Sequence, residues 1–214
     1  MKKLILTALL AISSLATFAQ IPSIGIKGGL NLATISSNSY GFGSPGTVKT
    51  FNAGLFVDLK FGNFSLQPAL NYTGKGGTYT STYIFPGFGG IQHSAVKENV
   101  YYLQLPVNLV YHIPVIIGNI YFGAGPYIAQ GLSGKISNTS NGQTLSQNLS
   151  FGNSTNDDIR ATQFGADAII GLKLRGGLLI NINYDLGLTN DLPSGESGSS
   201  KSRVFGISLG YVFL

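Results

Sequence analysis

The sequence contains no cysteine and no tryptophan among its 214 residues. Without cysteine no disulfide can stabilise the fold, so packing and hydrogen bonding must do so. Charged residues make up only 10% of the chain, whereas an ordinary soluble domain carries about 25%. A water-exposed surface this poor in charge is hard to keep soluble. These shortages argue against an ordinary soluble domain.

The charge balance and the apolar runs exclude two further classes. Without Lys2 and Lys3, eleven basic residues stand against eight acidic ones, a charge of +3, which is too weak and scattered to indicate a nucleic-acid partner. After residue 20, no apolar stretch approaches the roughly eighteen residues of a spanning helix. Low charge without such a run favours a β-barrel, the other structure that satisfies its backbone in lipid.

The first nineteen residues have the pattern of a secretory signal peptide. Lys2 and Lys3 precede an apolar run at 4–16 and then the small-residue motif Thr17-Phe18-Ala19. The run is shorter than the ~20 residues of an uncleaved membrane anchor. We therefore expect cleavage after Ala19, leaving a single barrel domain at 20–214.

Apolar residues alternate with small or polar ones throughout the mature chain, which is the signal of β-strands. Ile24, Ile26 and Leu30, for example, alternate with Gly25, Lys27 and Asn31. The predicted strands are 24–32, 51–59, 64–72, 100–111, 119–130, 163–172, 178–185 and 205–213.

The connections between these strands alternate in length. Short turns are predicted at 61–63, 113–118 and 175–177, and long Ser-, Gly-, Asn- and Thr-rich loops at 34–48, 74–98, 131–160 and 187–202. An even strand count with short periplasmic turns and long outer loops is typical of outer-membrane barrels. The prediction is an eight-stranded antiparallel up-and-down transmembrane β-barrel. Its interior has room only for side chains, so we expect no open pore.

Alternation alone does not say which face points outward, because a soluble ligand-carrying barrel has the same periodicity. Two features favour lipid on the apolar side. The polar face consists of Gly, Asn, Gln and Ser with few Lys or Glu, which suits a filled interior. Tyrosines end the apolar faces, where aromatic girdles belong: Tyr72, Tyr101, Tyr111, Tyr184 and Tyr211. The lack of tryptophan argues against lipid on the apolar side.

Several short segments together resemble the PorT-type outer-membrane β-barrel family. They are Gly25-Ile-Lys-Gly-Gly-Leu-Asn31, the stretch from Leu66 to Gly76, Tyr102-Leu-Gln-Leu-Pro-Val107, Gly123-Ala-Gly-Pro-Tyr127, Asn183-Tyr-Asp-Leu-Gly-Leu188 and Leu209-Gly-Tyr-Val-Phe213. The resemblance implies an outer-membrane location and an eight-stranded barrel. The secretion role of the family's namesake does not follow from these motifs.

The chain ends Phe213-Leu214, whereas many outer-membrane barrels end on an aromatic residue that the insertion machinery reads. We expect Tyr211 and Phe213 to serve as this insertion signal, shifted by one position.

Four charged residues fall on the predicted interior face: Lys27, Asp58, Asp167 and Asp185. Asp167 and Asp185 are expected at similar depth, where two carboxylates repel unless one is protonated or a cation separates them. Our hypothesis is a polar network that plugs the barrel. The alternative is a proton- or ligand-binding site.

Aromatic residues cluster in the second long loop, at Tyr79, Tyr83, Phe85 and Phe88. Exposed aromatics often mark contact surfaces, so these residues are candidates for binding a partner. Alternatively, they fold over the barrel mouth or rest on lipid headgroups. Arg203 lies on the outward face at the outer rim, where a cation can meet anionic headgroups.

The other polar loop residues do not define an active site. His93, Ser94, Glu98, Asp157 and Asp158 have no spacing that fixes a catalytic geometry, and His112 is expected at the interface beside a periplasmic turn. We predict no catalytic, metal or cofactor site.

The leading hypothesis is a structural or surface-binding barrel that acts through its outer loops. The alternatives are an accessory to protein secretion, a rim enzyme and a soluble periplasmic ligand carrier. Expected partners are outer-membrane lipid, the barrel-insertion machinery and an unknown surface or periplasmic partner, but no nucleic acid. We expect a monomer in the cell outer membrane.

Overall fold

The computed structural model describes residues 22–37, 44–85, 90–140, 142–152, 154, 157–192 and 198–213. The predicted signal peptide lies outside them and stays a prediction. The strands are β1 (Ser23–Ser37), β2 (Ser44–Gly46), β3 (Val48–Phe61), β4 (Phe64–Phe85), β5 (Gly90–Val115), β6 (Gly118–Ser140), β7 (Gln143–Asn148), β8 (Phe151–Gly152), β9 (Ile159–Arg160), β10 (Thr162–Leu174), β11 (Leu178–Gly187) and β12 (Ser200–Val212). The described part of the chain contains no helix long and apolar enough to cross a membrane.

Eight of these strands form a closed antiparallel ring. Its order is β1, β3, β4, β5, β6, β10, β11 and β12, and β12 pairs with β1 to complete it. Each predicted strand lies within or largely overlaps one strand of the ring. The predicted eight-stranded up-and-down barrel is confirmed.

The alternation of the sequence becomes an apolar outside and a polar inside. In β1, Leu30 is 73% exposed, whereas its neighbour Asn31 is 1% exposed. The same contrast runs along β12, where Ile207 is exposed and Ser208 is buried. A soluble ligand carrier requires the opposite arrangement, so this geometry opposes that alternative.

Two groups of aromatic rings bound the apolar outer face. Phe51, Tyr72 and Tyr101 lie within 5.2–5.7 Å of one another towards the outer end. Towards the inner end, a second group forms contacts of 4.9–6.3 Å; its rings are Phe61, Phe64, Tyr111 and Phe122. Tyr101 and Tyr111 are ten residues apart on β5, about 25 Å along the axis of a barrel tilted by roughly 40°. This spacing matches the apolar band of an outer-membrane barrel.

The inner ends of the strands are joined by the short turns that the sequence predicts. The turn after β3 consists of Gly62 and Asn63, and Gly62 takes a positive φ of 64°. The turn between β5 and β6 consists of Ile116 and Ile117 only, because both strands extend into the predicted 113–118 connection. These turns define the periplasmic end of the barrel.

The prediction of a long loop at 74–98 is wrong. Pairing between β4 and β5 continues from Gly74–Tyr101 to Phe85–Gly90, and β6 extends beside them to Ser140. Threonine, tyrosine and valine favour strands, so their alternation outweighs the Ser- and Gly-rich composition that suggested a loop. We call residues 74–85, 90–100 and 131–140, with β2 and β7, the outer sheet.

Candidate functional site in the lumen and outer sheet

The middle of the lumen holds three of the four predicted charged residues. Asp167 of β10 and Asp185 of β11 are directly opposed Cα partners, and both are buried. The Lys27 ammonium interacts electrostatically with these two carboxylates. We call Lys27, Asp167 and Asp185 the central cluster.

Side-chain amides of β5 and of β11 itself hold the two carboxylates of the central cluster. Asn108 Nδ2 donates to Asp167 Oδ2 at 2.6 Å, and Gln104 Nε2 donates to Asp185 Oδ2 at 3.0 Å. Asn183 Nδ2 donates to Asp185 Oδ1 at 3.0 Å. The carboxylates therefore tie β10 and β11 to β5 across the lumen.

The space within the central cluster is small. The void beside Lys27 and the two aspartates offers about 10 Å³ to the centre of a water molecule, which is room for about one water. Close packing of side chains against glycines helps to fill the lumen. A Cβ on Gly25, for example, would lie 2.3 Å from Phe56 Cζ.

Asp58 does not belong to the central cluster, so this part of the predicted network is wrong. It lies near the periplasmic end, where Asp58 Oδ1 is 3.7 Å from His112 Nε2 and Asp58 Oδ2 is 4.0 Å from Lys60 Nζ. The alternation of apolar and polar residues correctly predicts that Asp58 faces the interior. The stagger between tilted strands sets its height, and alternation carries no information about stagger.

His112 is buried in the lumen rather than placed at the interface, which corrects a second expectation. Its Nε2 lies 2.8 Å from Ser65 Oγ. The trio of Ser65, His112 and Asp58 is not a catalytic relay, because the serine and the carboxylate approach the same ring nitrogen, whereas a relay needs one on each nitrogen.

A further cluster of buried polar side chains lies near the outer end and was not predicted from the sequence. Lys75 is 1% exposed, and its Nζ donates to Tyr127 Oη and Gln163 Oε1, both at 3.2 Å. Gln163 Nε2 donates to Asp191 Oδ1 at 2.7 Å and to Tyr102 Oη at 2.7 Å. The Lys75 ammonium also lies over the Tyr127 ring, 4.4 Å from its centre. We call these five residues the outer cluster.

The segment that follows β7 packs on the outer cluster. Leu149 and Phe151 contact a buried apolar group that includes Tyr102, Tyr127 and Ile159. Arg160 N donates to Asp191 O at 2.9 Å. Through these contacts, the segment covers the side chains of the outer cluster at the outer end of the lumen.

The predicted aromatic contact residues differ in their placement. Tyr79 is 8% exposed and its hydroxyl donates to Ile35 O at 3.2 Å, so it is not an exposed contact residue, because its side chain turns inward onto β1. Tyr83 and Phe85 lie in β4 near the tip of the outer sheet, and Phe88 lies outside the described residues.

Among the polar loop residues, the side chain of His93 lies outside the described part of the structure, and the carboxylates of Asp157 and Asp158 are bound within their own loop. Asp158 Oδ2 accepts from Ser150 N and Asp157 Oδ2 accepts from Ser154 N, each at 2.8 Å, so both carboxylates stabilise their own loop. Ser94 Oγ donates to Asn138 at 3.3 Å. No three His, Cys, Asp or Glu side chains are grouped to hold a metal ion in the described ranges.

A family model covers most of the chain. The model of the outer membrane protein β-barrel domain matches residues 18–192. This chain belongs to the outer membrane protein β-barrel domain family. The match supports an outer-membrane location, and the PorT-type resemblance stays a prediction.

Several solved structures of bacterial proteins are similar to this family member. The attachment invasion locus protein Ail of Yersinia pestis is 14% identical, with a TM-score of 0.46 over 91% of this chain and 100% of Ail. Neisserial surface protein A is 12% identical, with a TM-score of 0.47 and the same coverage. OprG of Pseudomonas aeruginosa is 13% identical, with a TM-score of 0.40 over 91% of this chain and 97% of OprG. No curated protein matches the chain.

The last described aromatic residues of the barrel domain lie on its outward face. Tyr211 and Phe213 are 45% and 55% exposed, and their ring centres are 5.4 Å apart. Their proposed use as an insertion signal stays a prediction.

Proposed function

We propose that this outer-membrane barrel is a closed, non-catalytic surface-binding protein that acts through its outer sheet. The observation that carries the proposal is the continued pairing of β4 and β5 to Phe85–Gly90. From Gly74, β4 runs eleven residues further, about 36 Å along the strand. A barrel needs only a short connection to close, so an ordered sheet of this length suits a binding role.

The free edge of the outer sheet supports a particular mode of binding. All six residues of β7 are exposed, and β7 pairs with β6 alone among the described strands. Such an edge offers backbone N–H and C=O groups to an added strand. The opposite edge, β2, contains Pro45, which lacks an N–H. The proposed partner is therefore an extended polypeptide segment that pairs with β7.

A peptide selection tests this mode directly. Peptides selected from a random library on the barrel in nanodiscs should protect backbone amides of 143–148 from hydrogen exchange. Leu145→Lys with Gln147→Lys should weaken their binding, because lysines on an edge strand oppose pairing. Thr80→Lys, on an interior strand of the same sheet, is the matched control. Peptides that protect no amide of β7 would refute strand addition.

The filled lumen supports the non-conducting part of the proposal. The central and outer clusters occupy it at two levels, and the segment after β7 packs on the outer one. The purified barrel in a planar bilayer should give no steady ion conductance. Regular conductance steps comparable with those of a porin would overturn the closed state.

The secretion role is a weaker candidate, because it rests on the PorT-type resemblance alone. Deleting the gene and measuring exported proteins tests it independently. An unchanged set of exported proteins is the result that our proposal expects.

A further inference from the structure

One sector of the outward face carries a cluster of cations just beyond the outer aromatic rings. Lys49 of β3 lies two residues beyond Phe51, and Arg203 of β12 lies two residues beyond Phe205. Lys201 lies a further two residues along β12, and all three cations are exposed. The described outward-facing residues of β1, β3 and β12 include no acidic residue to neutralise them.

The strand register brings these cations to one side of the barrel. Leu32 of β1 pairs with Lys49 on one side and with Phe205 on the other, and Thr34 pairs with Arg203. Lys49 and Arg203 are therefore two strand spacings apart, about 10 Å across the sheet, and about 7 Å apart along it. Side chains as long as lysine and arginine can reach one phosphate group over this distance.

An apolar groove runs from these cations towards the middle of the membrane. It has a volume of about 550 Å³ and is lined by Leu30, Leu32, Phe205, Ile207 and Leu209, with Lys49 at its outer end. Gly28 forms part of its floor, and as a glycine it leaves this position without a side chain. By contrast, the apolar depression beside Ile116 and Ile117 has no charged residue in its lining.

We propose that this groove binds an acidic lipid of the outer leaflet, with one acyl chain between β1 and β12 and its phosphate held by Lys49, Arg203 and Lys201. The three cations lie at headgroup level because they flank the outer aromatic rings, which mark the interface. Charge complementarity selects an acidic headgroup over a zwitterionic one. The groove holds the acyl chain, so the lipid is bound with its phosphate next to the three cations.

The test uses the whole barrel reconstituted in phosphatidylcholine vesicles that contain a trace of spin-labelled lipid. In the electron paramagnetic resonance spectrum, lipid in contact with the protein gives a motionally restricted component. The size of this component with labelled phosphatidic acid and with labelled phosphatidylcholine gives the relative affinity of the barrel for the two lipids. We expect wild type to prefer phosphatidic acid, and each cation replaced by glutamine to reduce that preference roughly fivefold. Lys97→Gln with Lys135→Gln removes two exposed cations from the outer sheet and should leave the preference unchanged.

The groove has a test of its own, which leaves the cations in place. A Cβ at Gly28 would have Asn52 O as its nearest contact, at 3.6 Å, so Gly28→Leu can fill the groove without a backbone clash. This variant should reduce lipid restriction while the folded barrel keeps its gel mobility. Unchanged restriction would refute the acyl-chain seat, and equal affinity for the two lipids in wild type would refute the headgroup site. A stable dimer that buries this face would refute the whole site, because a second copy would then be the occupant.

Discussion

Asp167 and Asp185 face each other as Cα partners in adjacent strands, with the ammonium of Lys27 as their electrostatic counterpart. The pair lies in the interior of a barrel whose outer surface meets lipid. The two carboxylates and the ammonium therefore lie where water cannot hydrate them freely. Single substitutions of these residues should therefore change the stability of the barrel strongly.

Replacing Lys27 with methionine should destabilise the folded barrel by about 3 kcal/mol, because two buried carboxylates then lose their cation. Urea unfolding in lipid vesicles, followed by gel mobility, measures the change. Adding Asp185→Asn to Lys27→Met should recover much of the loss. If Lys27→Met were as stable as wild type, the electrostatic account of the central cluster would be wrong.

Stability should depend on pH through the outer cluster. Burial raises the pKa of the Asp191 carboxyl to about 7, from 3.8 in the unfolded chain, although the nearby Lys75 opposes the shift. The folded state therefore binds this proton more tightly, and the resulting stability is complete below about pH 4 and lost as the pH rises to about 7. Unfolding midpoints of wild type and Asp191→Asn, measured from pH 4 to 8, should diverge in this direction. Parallel profiles of the two proteins would contradict the assignment.

The sequence predicts the barrel well because alternation is a local property of each strand. It fails where composition and alternation disagree, as at 74–98, where Thr78 and Tyr79 belong to a strand despite their Gly- and Ser-rich neighbours. That error hid Lys75, since a lysine assigned to a loop is expected in water. His112 was predictable, because it continues the interior parity of Gln104 and Asn108. The height of Asp58 was not, because it depends on the stagger of the ring.

Close approach at Gly25 should make this position intolerant of a side chain. Gly25 is the cross-strand partner of Phe56, and a Cβ there would meet the Phe56 ring at 2.3 Å and Tyr211 O at 3.0 Å. Gly25→Ala should cost about 2 kcal/mol in urea unfolding, and Phe56→Leu in the same chain should relieve part of it. Gly28→Ala is the matched control on the open face of β1. Equal stability of the two alanine variants would show that the ring does not constrain the lumen.

A transmembrane barrel requires that the apolar face of its strands meets hydrocarbon. Because the chain contains no cysteine, Leu55→Cys and Leu105→Cys can each carry a single fluorophore, with Thr80→Cys on the outer sheet as the control. In vesicles of brominated lipid, the labels at 55 and 105 should be strongly quenched and the label at 80 should not. The central claim would be contradicted if the labels at 55 and 105 escaped quenching and those cysteines reacted with a water-soluble maleimide as readily as the one at 80.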